Sequence, residues 1–306
     1  MESVAFSVLI CTYNRHDMLA IALKALIDRT LEKPDEVLVV NGGDEKADEV
    51  VNQYVGRSDV TVRLVKTINK NLATSRNIGI AECRGDIIAM TDDDAEVFPD
   101  WVTQIKRVYQ EHPDAGAVGG AVLGADSAHS FISRLSDLVT FPSPTKPGTV
   151  RTLPGVNVSY RRAVLDKIGP QDTTLFRGED VDFNWRVKKA GYEIYYDPAI
   201  KVTHYHRPTL RKFWRQTYMY GRAYFLVRRK WSDLYCVYPR RLNSIRSYLK
   251  LVHFGVSTLY QPVRAAMRFA NWKDRIRAIP VLIVNDTVWK SGMVYQGWLE
   301  RGKRDQ

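Results

Sequence analysis

Cysteine is scarce in this chain: Cys11, Cys83 and Cys236 are the only three in 306 residues, odd in number and far apart. That spacing excludes a disulfide framework and a paired-cysteine metal site, and it fits a reducing, cytoplasmic compartment. Long hydrophobic runs are missing as well. The longest uninterrupted apolar stretch covers residues 278–284, far short of the roughly 18 residues of a spanning helix. The first residues show no basic segment of the signal-peptide kind. Internal repeats and low-complexity tracts are also absent. The expectation is a cytoplasmic protein, attached to the inner face of the cell membrane only peripherally if at all.

Acidic residues run short in one place only. The net charge of +11 and a pI near 9.5 suggest a nucleic-acid binder until the charge is located. Residues 1–206 carry 24 Lys/Arg against 29 Asp/Glu, a net of −5, whereas residues 207–306 carry 21 against 5, a net of +16. The asymmetry predicts two parts, a domain over 1–206 and a basic, aromatic-rich helical region over 207–306.

The first part alternates short apolar runs with helical spacing. Residues 4–13 (VAFSVLICTY), 36–40, 61–65, 86–90 and 115–123 read as strands, with helices at 17–28, 47–55, 72–82 and 101–110 between them. Repeated β-α-β of this kind predicts an α/β fold with a Rossmann-like, mostly parallel central sheet flanked by helices. Such sheets bind ligands at the carboxyl ends of their strands. After residue 125 the pattern loosens around Pro142, Pro144 and Pro147. It returns as a strand at 156–160, helices at 162–168 and 180–190, and a strand at 192–195.

Two acidic clusters carry the chemistry. Asp92, Asp93 and Asp94 fall at the end of the fourth strand. Adjacent carboxylates repel unless a cation or several donors hold them, and a hard divalent ion bridging to a diphosphate is the natural partner. The bland alternative is a solvated acidic turn, which the strand-end position disfavours. Glu179, Asp180 and Asp182 crowd a helix N-terminus. They read either as capping charges on the helix dipole or as a site with a general base for an attacking hydroxyl. His204, in VTHYH, taken alone is more often structural; beside the aspartates it can complete the shell of a metal such as Mn²⁺.

The segments SVLICTYNR (7–15), EVLVVNGG (36–43), NLATSRNIGI (71–80), GDIIAMTDDDAEVFPDW (85–101), GVNVSYRR (155–162) and GEDVDFNWRVKKAGY (178–192) occur in order. Together they resemble the family 2 glycosyltransferases of GT-A fold over roughly residues 4–206. The resemblance implies an inverting enzyme using a nucleotide-diphosphate sugar, a UDP-sugar first, with Mg²⁺ or Mn²⁺. Thr12, Tyr13, Arg15, Asn41, Arg76, Asp92 and Asp93 would bind the nucleotide, Tyr13 by stacking on the base. Asp94 and His204 would hold the metal. Asp180 would be the base, with Glu179 beside it. Gly155, Asn157 and Trp185 would flank the acceptor or donor sugar. Two positions depart from the pattern: Asn41 stands where an Asp often reads the uracil N–H, and Asn71 where a Gly is common. A Gln-x-x-Arg-Trp motif is missing, and residues 213–216 (FWRQ) do not supply it, which predicts transfer of a single sugar rather than processive synthesis.

The expected acceptor is a glycan or lipid-linked hydroxyl, in polysaccharide, lipid-linked glycan or glycolipid synthesis. On a wheel over residues 210–231, Arg211, Arg215, Arg222 and Arg229 fall within about 40°. That arrangement predicts a basic amphipathic helix lying either on an anionic membrane surface or against the catalytic domain, with a further helix of this kind over 279–284 and 288–298. Three other readings remain: a catalytically inactive nucleotide-binding scaffold, a nucleic-acid binder and a nucleotidyltransferase. The intact acidic clusters oppose the first two, and no nucleic-acid partner is expected. A nucleotidyltransferase would open with a Gly-rich phosphate loop, which residues 11–15 (CTYNR) are not.

Overall fold

The computed structural model describes residues 4–234, 236–239 and 243–301. They divide into two compact units, Met1–Asp126 with Phe141–His206, and Ser127–Thr140 with Arg207–Gln306. The structural division thus assigns the stretch 127–140 to the helical unit, where the sequence pattern alone assigns it to the first domain.

The first unit is built on β1 (Phe6–Thr12), β2 (Glu36–Asn41), β3 (Thr61–Lys66), β4 (Ile87–Asp92), β5 (Ala95–Val97), β6 (Ala115–Gly124), β7 (Gly148–Thr149), β8 (Val158–Arg161) and β9 (Glu193–His204). Its helices are α1 (His16–Leu23), α2 (Glu45–Asn52), α3 (Leu72–Glu82), α4 (Trp101–Glu111), α6 (Arg162–Ile168) and α7 (Glu179–Lys189). A π-helical turn, Lys24–Asp28, extends α1. The sheet runs β3-β2-β1-β4-β8-β6-β9-β5, with β7 beside β9. Strands β3, β2, β1 and β4 pair in parallel, as do β6 and β9; β8 is antiparallel to both of its neighbours.

Both sheet faces are covered, so β1 and β2 are apolar on alternate sides. Phe6, Val8 and Ile10 pack with Leu19, Leu23, Trp101 and Ile105 on one face. Leu9 and Leu38 pack with Val158, Tyr160 and Phe183 on the other. Burial on two faces explains the near-continuous hydrophobic runs of these strands. Register then fixes the site: Thr12 lies opposite Asn41 and Cys11 opposite Asp92. His204, at the end of β9, pairs with Ala95 immediately after the aspartate triad.

The second unit contains α5 (Phe131–Val139), α8 (Leu210–Lys230), α9 (Ile245–Ala266) and α10 (Trp272–Leu299). The further helix expected over 279–284 and 288–298 is α10, which begins earlier, at Trp272, and keeps Pro280 inside it, although an interior proline ordinarily marks a break. Helices α8 and α10 approach closely. A Cβ on Gly221 would meet the Trp289 carbonyl oxygen at 2.0 Å, and one on Gly292 the Tyr218 carbonyl oxygen at 2.3 Å. Leu135, Phe213, Ala278 and Leu282 share its core. The basic wheel of α8 is therefore partly spent within this unit, where Arg222 Nε donates to Gln296 Oε1 and Arg229 Nη1 to Glu300 Oε2. Among the described residues, no helix is long and apolar enough to cross a membrane.

Candidate active site

The loop after β1 and the end of β4 meet at the carboxyl edge of the sheet. Thr12 Oγ1 donates to Asp93 Oδ2 at 2.8 Å. Arg15 Nη1 donates to Asp93 Oδ1 at 2.9 Å and to Asp94 Oδ2 at 2.6 Å. On its other oxygen Asp94 faces His204 Nε2 at 3.2 Å. The two histidines of VTHYH stand ring nitrogen to ring nitrogen, His204 Nδ1 and His206 Nδ1 2.9 Å apart, and Phe141 packs against both rings. Asp92, Asp94 and His204 each offer one ligand atom, all within 4.8 Å of one another. Two carboxylate oxygens and an imidazole nitrogen converging on one point fit Mn²⁺ or Mg²⁺.

A second cluster adjoins the first through Arg76, whose side chain is only 5% exposed. Its guanidinium donates to Asp92 Oδ1 at 3.0 Å and to Glu179 Oε1 at 3.2 Å. Burial opposes its charge, but Asp92 and Glu179 together hold it protonated. Gly155 lies directly under this guanidinium: a Cβ there would meet both Nη atoms at 2.6 Å. Helix α7 starts at Gly178 in the left-handed region (φ 77°), which brings Glu179 and Asp180 together in its first turn. Burial raises the Asp180 carboxyl above the ordinary range, against the pull of Arg76 and the backbone N–H groups of Val181 and Gly155. Glu179 is raised too, by burial and then by repulsion from Asp180. Asp93 is lifted to about 6, chiefly by burial, although Arg15 pulls the other way. Cys11, beside Arg76 and Asp92, is pushed up to about 12 by burial and stays a neutral thiol.

The sequence of residues 7–169 matches the family model described as glycosyl transferase family 2. The chain belongs to glycosyl transferase family 2. It is 31% identical over 182 residues to the glucosyl-dolichyl phosphate glucuronosyltransferase of Haloferax volcanii, a match that covers 57% of this chain and only 58% of that relative. The fold is GT-A. The mannosyltransferase PcManGT of Pyrobaculum calidifontis, solved with GDP-Man and Mn²⁺, is similar with a TM-score of 0.64 at 16% identity, over 95% of this chain and 88% of that one. S. aureus TarS in complex with UDP is similar with a TM-score of 0.54 at 14% identity, over 99% and 94%.

In this family member the structure brings Thr12, Arg15, Asp93, Asp94 and His204 into one bonded cluster, and Arg76, Asp92, Glu179 and Gly155 into a second beside it. Tyr13 sits beside it, 52% exposed, its ring open for stacking. Three expected residues are placed differently. Asn157 is fully buried; it accepts from Trp101 Nε1 and donates to the carbonyls of Ala121 and Ile200. With its hydrogen-bonding groups committed to the core it cannot face a sugar, and the expectation is corrected: Asn157 ties β8 to β6, β9 and α4. Gly155 is a seat for Arg76 rather than a wall of the acceptor side. Asn41 donates to the Asp44 carbonyl and to Asp48 Oδ1, and accepts from the Gly43 N–H. It shapes its own loop, and Asp48 explains the departure from the family's Asp: a carboxylate at 41 would face a second buried carboxylate. Trp185, on α7, has a buried indole N–H without a partner.

Sequence reasoning missed Phe141 and His206, which support His204. It also missed the clamp on the loop before α7. Asn77 exchanges hydrogen bonds with the Gln171 backbone, and Asn71 caps α3 while donating to the Thr173 carbonyl. The signal for the clamp was present in Asn71 itself, the departure from Gly.

Proposed function

We propose that this glycosyltransferase moves one sugar from a UDP-sugar to an acceptor hydroxyl with inversion at the anomeric carbon. The observation that carries the reading is Arg76, a single buried guanidinium joining Asp92 of the acidic triad to Glu179 of the Glu-Asp pair. Donor-side and acceptor-side carboxylates are thereby held in one frame.

In this reading Tyr13 stacks on the base, and the Asn41 carbonyl keeps one lone pair for the uracil N–H. Arg15 and Arg76 face the diphosphate. Asp92, Asp94 and His204 would hold a divalent cation, which when bound supplies charge neutralisation to the departing diphosphate. Asp180 accepts the proton of the acceptor hydroxyl as that oxygen bonds to the anomeric carbon. The bond from that carbon to the diphosphate oxygen breaks, and the nucleoside diphosphate leaves. A single displacement with one base and no carboxylate nucleophile inverts the configuration. The basic helical unit suits attachment at the cytoplasmic face of a membrane and so a lipid-linked or glycan acceptor.

Calorimetric titration with a panel of nucleoside diphosphates, with and without Mn²⁺, tests the donor site. Metal-dependent binding of UDP that disappears in Asp94→Ala is the expected result. A preference for another base redirects the donor assignment, and folded protein that binds no nucleotide overturns the reading.

A further inference from the structure

The face left uncovered in the helical unit belongs to α9 rather than to α8. Ile245, Tyr248, Leu249, Val252, Val256, Leu259, Tyr260 and Val263 are all exposed, Ile245 and Leu259 by 74% and 75%. At 100° per residue these eight positions fall within an arc of about 120°. The helix is anchored from the opposite side, where Phe254 packs with Phe225 and Met293. The stripe, from Ile245 to Val263 of this helix, therefore runs about 27 Å at 1.5 Å per residue. A contiguous apolar surface of this length is unusual on a protein that meets only water.

Charge decides what covers it. Between Asp233 and Asp274 the sequence has seven Lys/Arg and no Asp/Glu. Arg246 and Arg264 lie about 40° beyond one edge of the stripe, with His253 between them. Arg268 and Lys273 follow, with the exposed Trp272 and Ile276. An isologous pair through α9 would set two acid-free basic segments against each other. An anionic lipid surface offers the opposite sign and an apolar interior for the stripe.

We propose that α9 lies in the plane of an anionic bilayer, its Ile245–Val263 stripe sunk at the headgroup boundary and its arginines against the lipid phosphates. This deepens the membrane attachment included in the proposed function, and it is read without donor or acceptor. The full chain is sedimented with vesicles of phosphatidylcholine alone and with roughly one-third phosphatidylglycerol. Binding to the anionic vesicles, weakened by about 0.5 M salt, is expected. Leu249→Glu/Val252→Glu/Leu259→Glu should lower the bound fraction at least about tenfold. Arg246→Glu/Arg264→Glu/Arg268→Glu should abolish the preference for anionic lipid. UDP binding, measured on each variant, reports folding and separates failure here from failure of the transferase reading. Wild type that stays in the supernatant with both vesicles overturns the inference. So does a wild-type dimer in solution that the stripe variant converts to monomer.

Discussion

Gly155→Ala is the sharpest test of the charge network. The added methyl would stand 2.6 Å from Nη1 and Nη2 of Arg76 and 2.9 Å from Cζ, where ordinary contact begins at 3.4 Å. The guanidinium must retreat by about 0.8 Å, the difference between the 3.4 and 2.6 Å separations. A surface arginine would simply swing away. Arg76 is 5% exposed and tied to Asp92 and Glu179, so its retreat lengthens two charge-assisted hydrogen bonds that already measure 3.0 and 3.2 Å. Misplacement of a catalytic frame by about 1 Å costs on the order of a hundredfold in rate, near 2.7 kcal/mol. The expected result is a kcat lowered by about that factor, with UDP affinity weakened less. Arg76→Lys supplies the control, because an ammonium clears the methyl but cannot bridge two carboxylates in a fork. The double variant should therefore be no worse than Arg76→Lys alone. Wild-type turnover in Gly155→Ala, or strictly additive losses, would refute the claim that Gly155 seats the guanidinium.

Asp180→Asn should remove transfer by at least about a hundredfold while leaving UDP binding intact in calorimetry. In the wild type the base must be ionised, so kcat should fall on acidification through a pKa above the ordinary 3.8, the direction in which burial moves Asp180; an acid limb at or below that value counts against it. Asp93, lifted to about 6, binds its proton more tightly folded than unfolded. Its stability contribution is present below 3.8 and lost as the pH rises through about 6, so Asp93→Asn should flatten the fall in metal-free stability across that window by on the order of 3 kcal/mol. An unchanged slope in chemical denaturation would show the carboxyl to be ordinary. Asn41→Asp should cost about 1–3 kcal/mol in urea unfolding by setting a carboxylate against Asp48 in place of a donor, and a neutral result would mean that Lys66, 2.5 Å from Asp48, absorbs the added charge.

The parallel strands of the first unit were legible because burial on both faces writes itself into sequence as uninterrupted Val, Ile and Leu. The GT-A likeness was legible for a related reason: six motifs sit at strand ends and helix starts, where backbone geometry limits the choice of residue. The helical unit was harder to read. Pro280 and Pro262 sit inside α10 and α9, although proline ordinarily marks a helix end. The stripe of α9 gives no outward sign of whether a core or another surface will cover it. The wheel drawn on α8 found its arginines, but two of the four turn out to bond to α10.

The same distinction separates residues named by their own chemistry from those defined by their surroundings. Asp92, Asp94 and Asp180 are named by chemistry, since a carboxylate at a strand end or helix start invites a cation or a proton. Asn157 and Gly155 are defined by what lies opposite them, and those partners are remote in sequence: Trp101 lies 56 residues from Asn157. Arg76 reaches Glu179 across 103 residues. Such contacts leave no local periodicity, so the motif carries the residue but not its job. The charge network follows from this arrangement. Asp92 and Glu179, from two distant segments, share the Arg76 guanidinium, and burial raises Glu179 and Asp180 beside it. Glu179 and Asp180 repel one another across the same guanidinium, so removing either should shift the proton affinity of the other, and the pair should titrate together rather than as independent ionisations.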